Sequence, residues 1–233
     1  MGGAVKRVLA IDTATDAVVT GIADLDDDAS ARVRAERIVS DGRRHAEVLT
    51  TLIGEVLDES GTARADLDVV VVGCGPGPFT GLRVGMATAA AFADALRRAV
   101  HGVCSLDALA RQTFSDDPSA RDVLVVTDAR RREIYWARYR DGARIGEPAV
   151  TAPARVVEDL ATEPIDLVAG SPAHAELFGR RVAAVRTPTV LGLVDAAAAG
   201  LLSGSAPEPL VPLYLRRPDA VESAKQRRKE VSR

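Results

Sequence analysis

The chain has 233 residues, a formal charge of −3, 47% hydrophobic and 27% charged residues. That is enough for one large domain or two small ones sharing a long interface. The mild acidity argues against a protein that holds nucleic acid by charge alone, and with aromatics at 3% a base-stacking platform lacks rings. Cys74 and Cys104 have no CxxC spacing and read as buried, reduced thiols. No stretch approaches the roughly 20 apolar residues of a membrane span, and Met1–Arg7 has no apolar leader core, so no membrane contact and a cytoplasmic location are expected.

In chain order, Val8–Ile11, Ala17–Leu25 and Arg32–Val39 read as strands, with Asp26-Asp27-Asp28 and Asp41-Gly42 as hairpin turns. Ala46, Leu49, Ile53, Val56 and Leu57 recur at helical spacing and predict a helix ending near Gly61. Val69–Val72, apolar on both faces, predicts a central covered strand. After the Gly73–Pro78 corner, a helix is expected from about Thr80 to Arg98, with Thr80 as its N-cap. A strand over Val100–Cys104 and a helix over Leu106–Phe114 follow. This β-β-β-α-β-α-β-α order is that of a ribonuclease-H-like lobe. Beyond Asp116–Ser119 the pattern restarts, with strands over Val123–Thr127, Glu133–Arg140, Gly146–Val150, Ile165–Ala169 and Val182–Val185. Shorter helices are expected over Ala154–Leu160 and Ala173–Phe178, and an Ala-rich one over Val190–Leu202.

The expected organisation is therefore a first lobe at 1–115, a second, reduced lobe at 120–215, and a tail at 216–233. The last helix, about 190–202, has the option of packing on the first lobe. The tail carries seven basic residues against three acidic ones and no apolar period. It reads as disordered, with a weak phosphate-contacting role as the alternative.

Two segments carry candidate chemistry. Asp12-Thr13-Ala14-Thr15 ends the first strand, where a carboxylate followed by hydroxyls can hold a hydrated metal ion and a phosphate; a capped turn uses the same residues. Gly75–Arg83 (GPGPFTGLR) combines glycines that allow close backbone approach with a helix start and Arg83 in its first turn. It has neither Lys-Ser/Thr at Walker spacing nor GxGxxG, so a rigid corner aiming a helix competes with a phosphate loop. In that helix Gly81, Gly85, Ala89 and Ala93 recur every four residues, a stripe suited to close approach by another helix or by the chain's own sheet. His45, His101 and His174 are far apart in the chain, so no metal site is expected, and His45 reads as a surface or interface residue. No Gly-x-Ser-x-Gly elbow is present, and Cys74 has no evident His partner. Asp128–Arg132 reads as a solvated turn able to meet phosphate.

Taken together, LAIDTAT (Leu9–Thr15), the His45–Leu49 helix start, GPGPFTGLRVG (Gly75–Gly85), DARRREIYWA (Asp128–Ala137) and PLYLR (Pro212–Arg216) resemble the TsaB family, also called YeaZ. The resemblance implies an α/β fold of two ribonuclease-H-like lobes of the actin/Hsp70/sugar-kinase (ASKHA) type. It also implies a non-catalytic scaffolding or activating subunit of the machinery that makes threonylcarbamoyladenosine at position 37 of tRNA. The implied partners are a TsaD-type transferase subunit and a TsaE-type ATPase, with tRNA engaged through the complex and a homodimer possible through the same helices. The family's pairing surface maps onto Ala46–Leu57 and Gly81–Leu96, naming His45, Leu49, Ile53, Gly81, Arg83, Gly85, Ala89 and Ala93 as interface candidates.

Two departures from the family pattern bear on chemistry. Pro78 stands where the corner more usually has Ser, removing an amide and a hydroxyl from any anion cradle. Ala169-Gly170-Ser171-Pro172 replaces the paired-Gly adenosine loop of nucleotide-binding relatives. The expectation is that the chain requires no cofactor. An ATPase or phosphotransferase using ATP/Mg²⁺ at Asp12, Thr13 and Thr15 is the alternative.

Overall fold

The computed structural model describes residues 5–40 and 45–216, with the side chains of 45–47 outside that description. The Asp41-Gly42 turn, the His45 side chain and the tail beyond 216 therefore lie outside the described residues. Strands β1 (Lys6–Asp12), β2 (Ala17–Leu25), β3 (Ala31–Ser40), β4 (Val69–Gly73) and β5 (Ala99–Val103) form one sheet in the order β3-β2-β1-β4-β5. The first three strands pair antiparallel, while β4 and β5 add in parallel. Strands β6 (Asp122–Asp128), β7 (Ile134–Arg140), β8 (Ala143–Thr151), β9 (Leu167–Gly170) and β10 (Arg181–Val182) form the second sheet, ordered β10-β9-β6-β7-β8. Its pairings repeat those of the first, antiparallel on one side of β6 and parallel on the other. Both sheets thus have the ribonuclease-H-like order.

Period-two alternation decides what each face of the first sheet meets. Leu9, Ile11, Val70 and Val72 point to the face covered by α1 (His45–Ser60) and α2 (Phe79–Leu96). Val8, Ala10, Val69 and Val71 point to the other face, which is covered by α6 (Val190–Ser203) through Val190, Leu193, Val194 and Ala197. In return α3 (Ser105–Asp116), which follows the first sheet in sequence, packs Leu106 and Leu109 against Val123, Val125 and Tyr139 of the second. The opposite face of that sheet is closed by α4 (Pro153–Asp159) and α5 (Pro172–Ala175) through Val156 and Ala175. The sheets therefore exchange helices, and α3 and α6 meet at the crossover. Gly192 makes the approach possible, because a Cβ there would lie 2.2 Å from the Ala108 carbonyl oxygen.

The structure corrects several expected details. Helix α2 starts at Phe79, with Pro78 rather than Thr80 at the N-cap and no side-chain cap bond. It ends at Leu96 because Arg97 turns left-handed at φ 55°. The strand expected at Val182–Val185 shortens to Arg181–Val182. The strand placed at Gly146–Val150 begins earlier, at Ala143, since its partner β7 pairs Arg140 with Ala143. Among the described residues no helix is long and apolar enough to cross a membrane.

Candidate functional site

The glycines of the corner are explained by what they touch. A Cβ at Gly73 would lie 1.7 Å from Asp12 Oδ2, at Gly77 2.2 Å from the Ala14 carbonyl oxygen, and at Gly85 2.2 Å from Thr13 Oγ1. Each is tighter than any side chain tolerates, so the corner and the first turn of α2 are pressed onto the 12–14 turn. The close backbone approach that a phosphate loop offers to a ligand is taken up by the chain's own residues.

Asp12 and Thr13 are correspondingly enclosed, both at 0% exposure. Asp12 accepts the Ser105 hydroxyl at 2.5 Å and the Ala14 amide at 2.8 Å. Burial pushes its carboxyl up to about 6, against the pull of these two hydrogen bonds. The Thr13 hydroxyl donates to the Gly81 carbonyl at 2.7 Å. Of the three residues offered for nucleotide or phosphate, only Thr15 lines the cleft between the lobes, and its hydroxyl bonds that of Thr187 at 2.8 Å.

That cleft has a volume of about 500 Å³ and is lined by Thr15, Asp16, Thr127, Arg130, His174 and Arg186, among others. The Thr127 hydroxyl is buried and has no hydrogen-bond partner among the described residues. His174 Nε2 lies 3.5 Å from Asp128 Oδ1. Among the described residues no group of His, Cys, Asp and Glu is arranged to hold a metal ion. Cys74 and Cys104 are free, and burial, reinforced by Asp12 and Asp107 respectively, raises their thiols to about 11 and about 12. Both stay protonated and inert at neutral pH.

The interface candidates divide sharply. Leu49 and Ile53 belong to the core of the first lobe, at 0% and 3% exposure. Gly81, Gly85, Ala89 and Ala93 are likewise buried, on the α2 face that lies on the sheet. The small-residue stripe read from the sequence is the one that seats the helix on its own strands. The solvent-facing stripe of α2 is Arg83, Ala87, Ala91 and Ala95, all exposed. Arg83, the one candidate among the described side chains on the surface, lies over the Phe79 ring at 3.7 Å from its centre and donates to the Tyr214 hydroxyl at 3.0 Å.

Tyr214 belongs to a strap that the sequence showed only as the short PLYLR match. Its ring stacks on Phe79 at 4.9 Å, and the Leu213 amide donates to the Cys74 carbonyl at 2.8 Å. Arg216 then donates to the Ala129 carbonyl at 3.0 Å and pairs with Glu133. The strap thus ties the GPGPFTGLR corner to the DARRR turn of the second lobe, joining segments that are far apart in the chain.

A doubled ribonuclease-H-like sheet with exchanged helices and an interlobe cleft defines the two-lobed ASKHA class. Comparison with known proteins agrees with this and narrows it. Residues 33–204 match the family model described as TsaD: tRNA N6-adenosine threonylcarbamoyltransferase. Uncharacterized protein Rv3421c of Mycobacterium tuberculosis is 52% identical over 93% of this chain and 94% of its own length. Uncharacterized protein ML0378 of Mycobacterium leprae is 54% identical over 91% of this chain, which spans 55% of that protein. The tRNA threonylcarbamoyladenosine biosynthesis protein TsaB of Escherichia coli is 34% identical over 58% of this chain and 55% of its own length. The solved structure of YeaZ from Pseudomonas aeruginosa superposes with a TM-score of 0.67 at 29% identity, covering 88% of this chain and all of that one. The chain belongs to the TsaD family of the matching model and, within it, groups with the TsaB (YeaZ) proteins.

Proposed function

We propose that this chain acts in the synthesis of threonylcarbamoyladenosine on tRNA as a non-catalytic subunit that docks on a TsaD-type transferase subunit. The observation that carries the reading is the division of labour along α2. One face is consumed by the chain's own core, and the other presents Ala87, Ala91 and Ala95 to solvent. Small exposed side chains let a second helix approach closely. Gly54 on the adjoining α1 has nothing within 4 Å of a notional Cβ, which extends the smooth surface. The enclosed Asp12 supports an accessory rather than a chemical role. In this reading a TsaE-type ATPase joins the assembled pair, tRNA is engaged by the complex, and the same face supports a homodimer when the partner is absent.

The test is genetic. Deleting the gene should remove threonylcarbamoyladenosine from digested bulk tRNA, and the wild-type chain should restore it. Unchanged nucleoside levels after deletion would refute the role.

The second reading, an ATPase or phosphotransferase, is favoured by the cleft and by Thr127 on its lining, whose buried hydroxyl has no hydrogen-bond partner among the described residues. Calorimetry with ATP and Mg²⁺ on the isolated chain separates the two. Heat of binding lost on Thr15→Val supports this reading, and no heat removes it.

A further inference from the structure

Helix α2 carries two free charges at the ends where its own dipole disfavours them. It has no acidic residue in its first turn and no basic residue in its last. Arg83 stands instead towards the N-terminal, electropositive end, and Asp94 in the last turn, at the electronegative end. Both are exposed. Among the described residues the Asp94 carboxylate has no hydrogen bond or ion pair, since Arg98, four residues on, donates to the Ala65 carbonyl at 3.1 Å instead. Arg83 donates from Nε to the Tyr214 hydroxyl and has no carboxylate partner among the described residues, so its terminal nitrogens are open.

The pose of Arg83 is nevertheless fixed. Its guanidinium lies on the Phe79 ring, 3.7 Å from the centre, and Phe79 stacks in turn on Tyr214 at 4.9 Å. Tyr214 is anchored by its neighbour Leu213, whose amide donates to the Cys74 carbonyl at 2.8 Å. Exposed arginines elsewhere are held by carboxylates: Arg121 by Asp141, Arg155 by Asp159 and Arg181 by Asp117. Two rings hold Arg83, which orients the fork and leaves its charge uncompensated.

The two charges lie along one line of the helix. At about 100° per residue, Asp94 comes within about 20° of Arg83, roughly 16 Å further along the axis, and Ala87 and Ala91 lie beside the line between them. A second helix lying antiparallel on this line reverses both penalties. It brings its electronegative C-terminal end to Arg83 and its electropositive N-terminal end to Asp94, whereas a parallel helix repeats the mismatch.

We infer that the helix seated on α2 runs antiparallel to it, offers a carboxylate to the Arg83 fork and a Lys or Arg to Asp94, and takes its direction and register from these two charges. The inference rests on the function proposed above, the occupant being a helix of the TsaD-type subunit. Ala87 and Ala91 give no register by themselves, because they present the same smooth surface to a helix shifted by a turn or reversed end for end. Opposite charges at the two ends break that degeneracy, since the wrong arrangement sets like charges together or leaves both unpaired. An arginine already held in place also loses little freedom when it takes a carboxylate with both prongs.

The experiment titrates the TsaD-type subunit with the full chain by calorimetry, comparing wild type with Arg83→Glu and with Asp94→Lys. Each reversal gives α2 the charge its own dipole favours, so the melting temperature of the chain holds or rises. Association weakens about tenfold or more in either variant, and added salt weakens it less than in wild type. Weaker binding without lost stability is the result a merely structural arginine does not give. Reversed variants that bind as tightly as wild type overturn the inference. If Ala91→Arg still abolishes binding in that case, the docking face stands and only its charge pairing falls, whereas a wild-type chain that does not bind removes both. Reversals that spare this binding but break self-association of the chain, with recovery in the double variant, also overturn the inference and assign the two charges to a second copy.

Discussion

Gly85 of α2 lies so close to Thr13 that a methyl group on its Cα would sit 2.2 Å from the Thr13 hydroxyl oxygen. That hydroxyl is itself fixed by its bond to the Gly81 carbonyl, so it cannot swing away without losing a buried partner. The contact welds the first strand's turn to the helix that carries the proposed docking face.

Gly85→Ala should therefore destabilise the chain by about 2–3 kcal/mol, the range of a tightly overpacked core. Gly54→Ala in α1, where nothing lies within 4 Å, should instead stabilise by about 0.5–1 kcal/mol through helix propensity. Urea unfolding of both variants checks the pair of signs. A neutral Gly85→Ala would show that the helix seats more loosely than described.

Asp12 makes stability depend on pH in an unusual direction for a carboxylate. Its folded pKa of about 6 lies above its ordinary value of 3.8. The folded state then holds a proton that the unfolded chain releases, so its contribution is fully present below pH 4 and is lost as pH rises through 6. A shift of this size corresponds to about 3 kcal/mol. Asp12→Asn keeps the shape, its oxygen accepting the Ala14 amide and its NH2 donating to the Ser105 hydroxyl oxygen, and should flatten the stability profile between pH 4 and 6 while making the chain more stable than wild type at pH 7. Thermal denaturation across that range checks it, and an unchanged slope in the variant would assign the dependence to other groups.

Asp122 and Arg138 form a bidentate pair in the second lobe, at 2.7 and 2.8 Å, with 3% and 8% exposure. Asp122 raises the Arg138 guanidinium well above its usual range, with Glu163 adding to the effect and burial opposing it. Arg138→Met removes the partner and leaves Asp122 buried with, among the described side chains, the half-exposed Arg140 alone, so a loss of about 3–5 kcal/mol is expected. Adding Asp122→Leu should recover much of it, because two apolar groups restore a balanced interior. A double variant as unstable as the single one would refute that account.

Much of the fold was legible because its elements follow simple periods. Val69–Val72 could only be a covered strand, and Ala17–Leu25 matches β2 residue for residue. The pairing of helices with sheets was harder to read. That α6 covers the first sheet was one option among two, and that α3 leaves its own lobe for the second depends on Gly192 meeting Ala108, a contact between distant segments. The site was legible as a set of motifs but not as an arrangement. A stripe of Gly81, Gly85, Ala89 and Ala93 has the same spacing whether it faces a partner or the chain's own sheet, and only three-dimensional packing shows which. Phe79 and Tyr214 carry no pattern that predicts their stacking across the chain.

The most direct measurement is calorimetric titration of the TsaD-type subunit with the wild-type chain and with Ala87→Arg and Ala91→Arg. Both positions are exposed, so the variants should fold with unchanged circular dichroism and melting temperature. If α2 docks through this face, two buried guanidinium groups without partners should weaken association by about a hundredfold or more. Folded variants that bind as tightly as wild type would contradict the account.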